Sequence, residues 1–119
     1  SQAMQAKWRR ELSRYLSGRQ TLQGVVHLMD ARRPLQDNDV QMREFLMSHG
    51  VPLVIVLTKI DEVKQADLAK AVKQVEKETE QDPILFSSRN GRGKRELLRA
   101  LTQEAPIGDD EEETIILES

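Results

Sequence analysis

The stretch Pro52-Leu53-Val54-Ile55-Val56-Leu57-Thr58-Lys59-Ile60-Asp61 decides the fold. Its apolar residues follow one another without polar alternation, and Val54, Ile55 and Val56 are β-branched, the pattern of a strand covered on both faces. Toward the amino terminus, Gly24-Val25-Val26-His27-Leu28-Met29-Asp30 reads as a second buried strand that ends on an acid. Between the two strands, after Pro34, Asp37 or Asn38 is placed to cap a helix carrying Val40, Phe45 and Leu46 to its end near Gly50. Toward the carboxyl terminus, Leu68, Ala71, Val72 and Val75 fall on one helical face, and Asp82-Pro83 punctuates before a short strand Ile84-Leu85-Phe86. The turn Asn90-Gly91 then leads to a last helix with Leu97, Leu98 and Leu101. Ahead of the first strand, Trp8, Leu12, Tyr15 and Leu16 recur at helical spacing, and Gly18 is placed to stop that helix. Strands alternating with helices imply right-handed crossovers and an α/β fold, a three-layer parallel sheet with helices on both faces.

Composition narrows what such a fold can do. With 119 residues and no cysteine, the chain has the size of one domain and holds neither a disulfide framework nor thiolate chemistry, which suits a reducing cytoplasm. No run approaches the roughly 18–20 apolar residues that span a bilayer, and Ser1-Gln2-Ala3-Met4-Gln5 does not begin a secretory leader, so no membrane partner is expected. His27 and His49 stand apart without matching acids, which points away from a metal site. The net charge of -2 conceals a division: residues 1–103 carry +5, and the segment from Glu104 onward carries seven acids and no Lys or Arg. Residues 104–119 are therefore expected to be an acidic, disordered tail, with Ile115-Ile116-Leu117 as its apolar end. Lys7, Arg9, Arg10, Arg14, Arg19, Arg32 and Arg33 face only Glu11 and Asp30 in the first 33 residues. That surface suits either an ordinary solvated face or RNA phosphates.

In parallel sheets, ligands sit beyond the carboxyl ends of the strands. Three loops lie there: Asp30 to Pro34, Thr58 to Glu62, and Ser87 to Gly93. Taken alone, Thr58-Lys59-Ile60-Asp61 is equally a polar surface loop. Its chemistry suits a purine, because a carboxylate at Asp61 can accept both the N1–H and the exocyclic amine of guanine, and adenine offers neither donor. A site built on those bonds rejects the base that leaves its polar groups unpaired. Lys59 would lay its methylene stem along the purine plane while its ammonium bonds neighbouring loops. Phe86-Ser87-Ser88-Arg89-Asn90-Gly91 would present backbone N–H donors to guanine O6, and two such loops after neighbouring strands make a coherent pocket. Asp30 is expected to contact backbone amides of the loop behind it.

Several separate segments agree, in order and spacing, with one family. Lys7-Trp8 through Leu22-Gln23-Gly24-Val25-Val26, Met29-Asp30-Ala31-Arg32-Arg33-Pro34-Leu35, Gln41-Met42, Val56-Leu57-Thr58-Lys59-Ile60-Asp61 and Phe86-Ser87-Ser88 resemble the carboxyl-terminal portion of the EngB (YihA/YsxC-type) bacterial GTPases. The resemblance covers about residues 4–103. It implies a P-loop NTPase-like fold in which the guanine-specificity motif maps onto Thr58, Lys59, Ile60 and Asp61, and a later base-contacting loop onto Phe86, Ser87 and Ser88. It also implies GTP or GDP with magnesium in the complete family protein, and work in large ribosomal subunit assembly, cell division and septum formation, with ribosomal RNA or a large-subunit precursor as partner.

The departure from the family lies at the front. No G-x-x-x-x-G-K-[ST] string and no D-x-x-G occurs, and Gly91-Arg92-Gly93-Lys94-Arg95 lacks both the glycine spacing and the hydroxyl. Residues 1–103 are thus expected to be the later portion of a GTP-binding domain, lacking the N-terminal strands and phosphate loop, unable to hydrolyse GTP alone and without magnesium ligands. The Gly24–Asp30 strand would then be an exposed apolar edge, completed by another chain or by oligomerisation. Two other readings fit parts of the sequence: a truncated circularly permuted GTPase, and a nucleotide-independent RNA- or protein-binding module using the basic first helix with Arg32 and Arg33.

Overall fold

The computed structural model describes residues 6–7, 9–10, 13–14, 21–35, 37–103 and 112–118. Their element order is β1 (Thr21–Asp30), α1 (Asp37–Ser48), β2 (Leu53–Thr58), a 3-10 turn (Ile60–Glu62), α2 (Gln65–Thr79), β3 (Ile84–Leu85), α3 (Lys94–Gln103) and β4 (Glu112–Glu118). The sheet runs β3-β2-β1-β4, and every adjacent pair is parallel. Residues 6–7, 9–10 and 13–14 are helical, in keeping with the expected first helix. Trp8, Leu12, Tyr15, Leu16 and Gly18, on which that expectation rests, lie outside the described residues.

Side-chain alternation along the strands divides the core in two. On one face Val25, Met29, Leu53, Ile55 and Leu57 meet Met42 and Leu46 of α1 and Leu68, Ala71 and Val75 of α2. On the other, Val26, Val54 and Val56 meet Leu97 and Ala100 of α3, with Leu28, Ile84 and Phe86. Both faces of β2 are therefore buried, which is why its sequence shows no polar alternation. The two forward steps, β1 to β2 and β2 to β3, carry their helices on one face, and the return step to β4 carries α3 on the other. Reversing both direction and face preserves the right-handed crossover.

The carboxyl-terminal segment corrects two expectations. Glu112–Glu118 is a strand paired to β1 from Thr21↔Glu112 to Leu28↔Glu118, with one irregularity between Leu22 and Gly24. The expected disordered tail is thus ordered over these seven residues, and residues 104–111 lie outside the described ones. The expected exposed edge on β1 is likewise overturned, because β4 covers it, and the reason given for an oligomer goes with it. The physical reason is that a long strand with unpaired N–H and C=O groups is a template, and Thr114-Ile115-Ile116-Leu117 has the β-branched composition to fill it. Among the described residues, no helix is long and apolar enough to cross a membrane.

Two contacts hold the ends of elements. Arg43 of α1 donates from its guanidinium to the Glu78 carbonyl in the last turn of α2, tying the two helices on the same face. Gly93, at φ +83, brings its backbone onto the end of β3, where a Cβ would meet the Leu85 carbonyl oxygen at 1.8 Å. Gly91, at φ +79, has open space around it.

Gly93→Ala is accordingly expected to cost about 3 kcal/mol or more and Gly91→Ala about 1 kcal/mol, a contrast that urea denaturation of the two variants measures. Removal of residues 112–119 is expected to lower the unfolding midpoint and produce concentration-dependent self-association in analytical ultracentrifugation, because it bares β1.

Candidate base-recognition site

β1 and β2 pair in register from Val25↔Leu53 to Asp30↔Thr58, so both strands stop on the same rung. The Ala31 amide donates to the Thr58 carbonyl at 2.9 Å, the Thr58 hydroxyl donates to the Met29 carbonyl at 3.2 Å, and the Phe86 amide donates to the Leu57 carbonyl at 2.9 Å. Three loops consequently leave the sheet side by side. They bring together Asp30, Lys59, Asp61 and Ser87.

Asp30 is clamped from its own loop. Arg32 donates to its carboxylate through the backbone N–H at 2.9 Å, through Nε at 3.0 Å to Oδ1, and through Nη2 at 2.7 Å to Oδ2. The Arg32 side-chain bond is the main reason the carboxyl is held well below the ordinary aspartate range, opposed by burial and aided by the Arg32 backbone N–H and the charges of Arg32 and Lys59. The expected contact between Asp30 and the amides behind it is therefore present. Arg32 is engaged with this acid, a role its sequence position did not announce.

Lys59 takes the left-handed conformation at φ 58, which lifts its side chain over the loop and sets Nζ 3.6 Å from Asp30 Oδ2. Ile60, next in sequence, is buried in the core below, so its side chain anchors the turn that carries Asp61. The Asp61 side chain retains 15% of its exposure and accepts a 2.6 Å hydrogen bond from Ser87 Oγ on Oδ1. Arg89 Nε stands 3.7 Å from Oδ2 of the same carboxylate. The Ser87 hydroxyl is the leading cause of a lowered Asp61 pKa, with burial opposing it and the Arg89 charge adding to it.

Ser87 is wholly buried and organises the loop beyond β3. Its amide donates to the Arg92 carbonyl at 3.0 Å, its carbonyl accepts from Gly91 at 2.9 Å, and its hydroxyl accepts from the Asn90 amide at 3.3 Å. Phe86 packs into the core on the α3 side, and its carbonyl accepts from the Ile60 amide at 3.4 Å, joining the two loops directly. Ser88 is exposed at the tip. The structure thus brings Thr58, Lys59, Ile60, Asp61, Phe86, Ser87 and Ser88 to one end of the sheet, with the side chains of Ile60 and Phe86 turned into the core beneath it. Sequence reasoning gave Arg89 a place in the loop that presents backbone N–H donors but no role for its side chain, and it gave Gly93 no role. The signal for Arg89 was its place two residues beyond Ser87.

As a donor set, the site offers an ionised carboxylate near a cationic stem and a turn of small residues. That set fits the edge of a base. Among the described residues no group of three acidic or histidine side chains converges as a cation site.

The model of the elongation factor Tu GTP binding domain matches residues 6–107. Among curated proteins, the probable GTP-binding protein EngB of Kosmotoga olearia is 38% identical over 100 residues, covering 81% of this chain and 53% of that protein. Those of Shewanella piezotolerans and Shewanella sediminis are 40% identical over 106 residues and 38% identical over 108; each match covers 85% of this chain, and 47% and 48% of the respective protein. The chain spans about half the length of the curated relatives it matches.

Arg32→Ala is expected to raise the Asp30 pKa toward its ordinary 3.8, as read by carboxyl NMR titration. Because the folded value is depressed, the stability this contact supplies is complete above the unfolded value and is lost as pH falls through the folded one. The variant's destabilisation should therefore be seen at neutral pH and fade in strong acid.

Proposed function

From the premise that the chain belongs to the elongation factor Tu GTP binding domain family and is a partial relative of the EngB GTP-binding proteins, we propose that it carries their guanine-reading site. Asp61 accepts the guanine N1–H and 2-amino hydrogens, Lys59 lays its stem along the purine plane, and the backbone N–H of Ser88 donates to O6. The observation that carries this reading is the Asp61 carboxylate, fixed at the end of β2 by the Ser87 hydroxyl at 2.6 Å and kept ionised there. Thr58 supports it by locking the strand end, and Ile60 and Phe86 by anchoring the two loops in the core.

The nucleotide of this site is GTP or GDP. No residue of this chain forms a G-x-x-x-x-G-K-[ST] string, and its described acids do not converge as a magnesium site, so phosphate binding, magnesium and hydrolysis are assigned to none of these residues. The wider role we propose, cytoplasmic work in assembly of the large ribosomal subunit with consequences for cell division and septum formation, is supported by the similarity to EngB proteins.

Guanosine and GDP are expected to bind in calorimetry in preference to adenosine and ADP. Asp61→Ala should weaken guanosine by at least about 100-fold, since two hydrogen bonds to a charged acceptor are worth about 1.5–3 kcal/mol each. Equal binding of guanosine and adenosine, or binding unchanged in Asp61→Ala, would overturn the reading.

A further inference from the structure

Asp61 already has a resident on the oxygen that a base would need. Oδ1 is engaged by Ser87, and Oδ2 faces Arg89 Nε at 3.7 Å. The other cation beside these carboxylates, Lys59, leans the opposite way, toward Asp30. Chemically, the reading edge of guanine is a guanidine: N1–H, C2 and the 2-amino group form an N–C–N unit that presents parallel donors to a carboxylate. An arginine guanidinium presents the same kind of two-donor edge, with a full positive charge. We propose that Arg89 is a built-in competitor of guanine, a side chain whose guanidinium occupies Asp61 until the base displaces it, so that it sets the affinity of the site.

Its placement suits that task. Arg89 lies on the turn that Ser87 organises through the Asn90 and Gly91 amides, so its backbone is anchored within reach of Asp61. The side chain itself is 79% exposed. An exposed ion pair holds its partner only weakly, and release into water costs little. Guanine can replace the guanidinium because it brings equivalent donors, and Oδ1 keeps a lone pair for it beside the Ser87 bond. Adenine has an unprotonated N1 and no amine at that carbon, so it has nothing with which to replace the guanidinium. The pair therefore sets a cost that any base entering the site must meet, and only guanine recovers it through its own bonds to Asp61.

The inference rests on the base-reading assignment of Asp61, and calorimetry on the full chain separates the two. Guanosine is titrated into the unmodified chain, Arg89→Ala, Arg89→Lys and Asp61→Ala, each first shown to be folded under the assay conditions by its urea unfolding transition. The expected result is guanosine binding tightened about two- to fivefold in Arg89→Ala, the range an exposed ion pair can exert. Arg89→Lys, which keeps the charge and loses the planar fork, should fall between the two, and the gain should shrink in 0.5 M salt, roughly a Debye length of 4 Å or so. Unchanged or weaker guanosine binding in Arg89→Ala, with binding still lost in Asp61→Ala, overturns the competitor and leaves the base reading standing. Absence of guanosine binding in every form, Arg89→Ala included, overturns both.

Discussion

The rest of the structure depends on the in-register parallel pairing of β1 with β2. From Val25↔Leu53 to Asp30↔Thr58 the two strands run level, and the Ala31 amide closes the last rung on the Thr58 carbonyl. A slip of one residue would exchange the faces of every side chain, sending Val25 and Met29 from the α1 and α2 core to the α3 core. It would also lift Asp30 out of reach of Lys59. The hydrophobic pattern that pays for the sheet thus also sets the level at which the polar loops begin, and chemistry at the strand ends inherits its precision from packing below.

Within that frame, two aspartates at neighbouring strand ends have different environments. Asp30 is held by three donors from Arg32, a residue two positions away on the same loop, with Lys59 adding charge. Its contacts satisfy its own turn. Asp61 is held by one short bond from a buried hydroxyl and one looser cation on an exposed side chain. A buried neutral donor fixes the carboxylate's direction without cancelling its charge, whereas a forked arginine does both. The first arrangement shapes a loop, and the second leaves an acceptor open to exchange.

What the sequence disclosed follows from how local each signal is. β2 was legible because a strand buried on both faces must be apolar throughout, and α2 because Leu68, Ala71 and Val75 repeat at helical spacing and all are buried. Asp61 and Ser87 were legible as loop residues after strands, since a parallel sheet puts all such loops at one end. The direct bond between them was not, because it joins residues 26 positions apart through a third dimension. Gly93 stood out only in a string that fails as a phosphate loop, yet its requirement comes from the Leu85 carbonyl, a contact between backbone segments that leaves no mark in composition. The Arg32 fork is local, but an Asp-x-Arg spacing is common in loops that form no such clamp.

β4 was hidden for the opposite reason. Its residues were visible, but a strand exists only with its partner, and the composition around it argued for solvation. The glutamates at 112, 113 and 118 that suggested disorder have a different consequence once the segment is seen as the edge of a sheet. A parallel edge offers backbone donors and acceptors to any neighbouring chain, and Ile116, in register with Val26, remains 60% exposed on it. Acidic residues are among the devices by which natural sheets keep such an edge from pairing further. The pairing of β4 with β1 is made by backbone groups, from Thr21↔Glu112 to Leu28↔Glu118. Acid content that weakens a segment's claim to structure in isolation is what lets the same segment end a sheet.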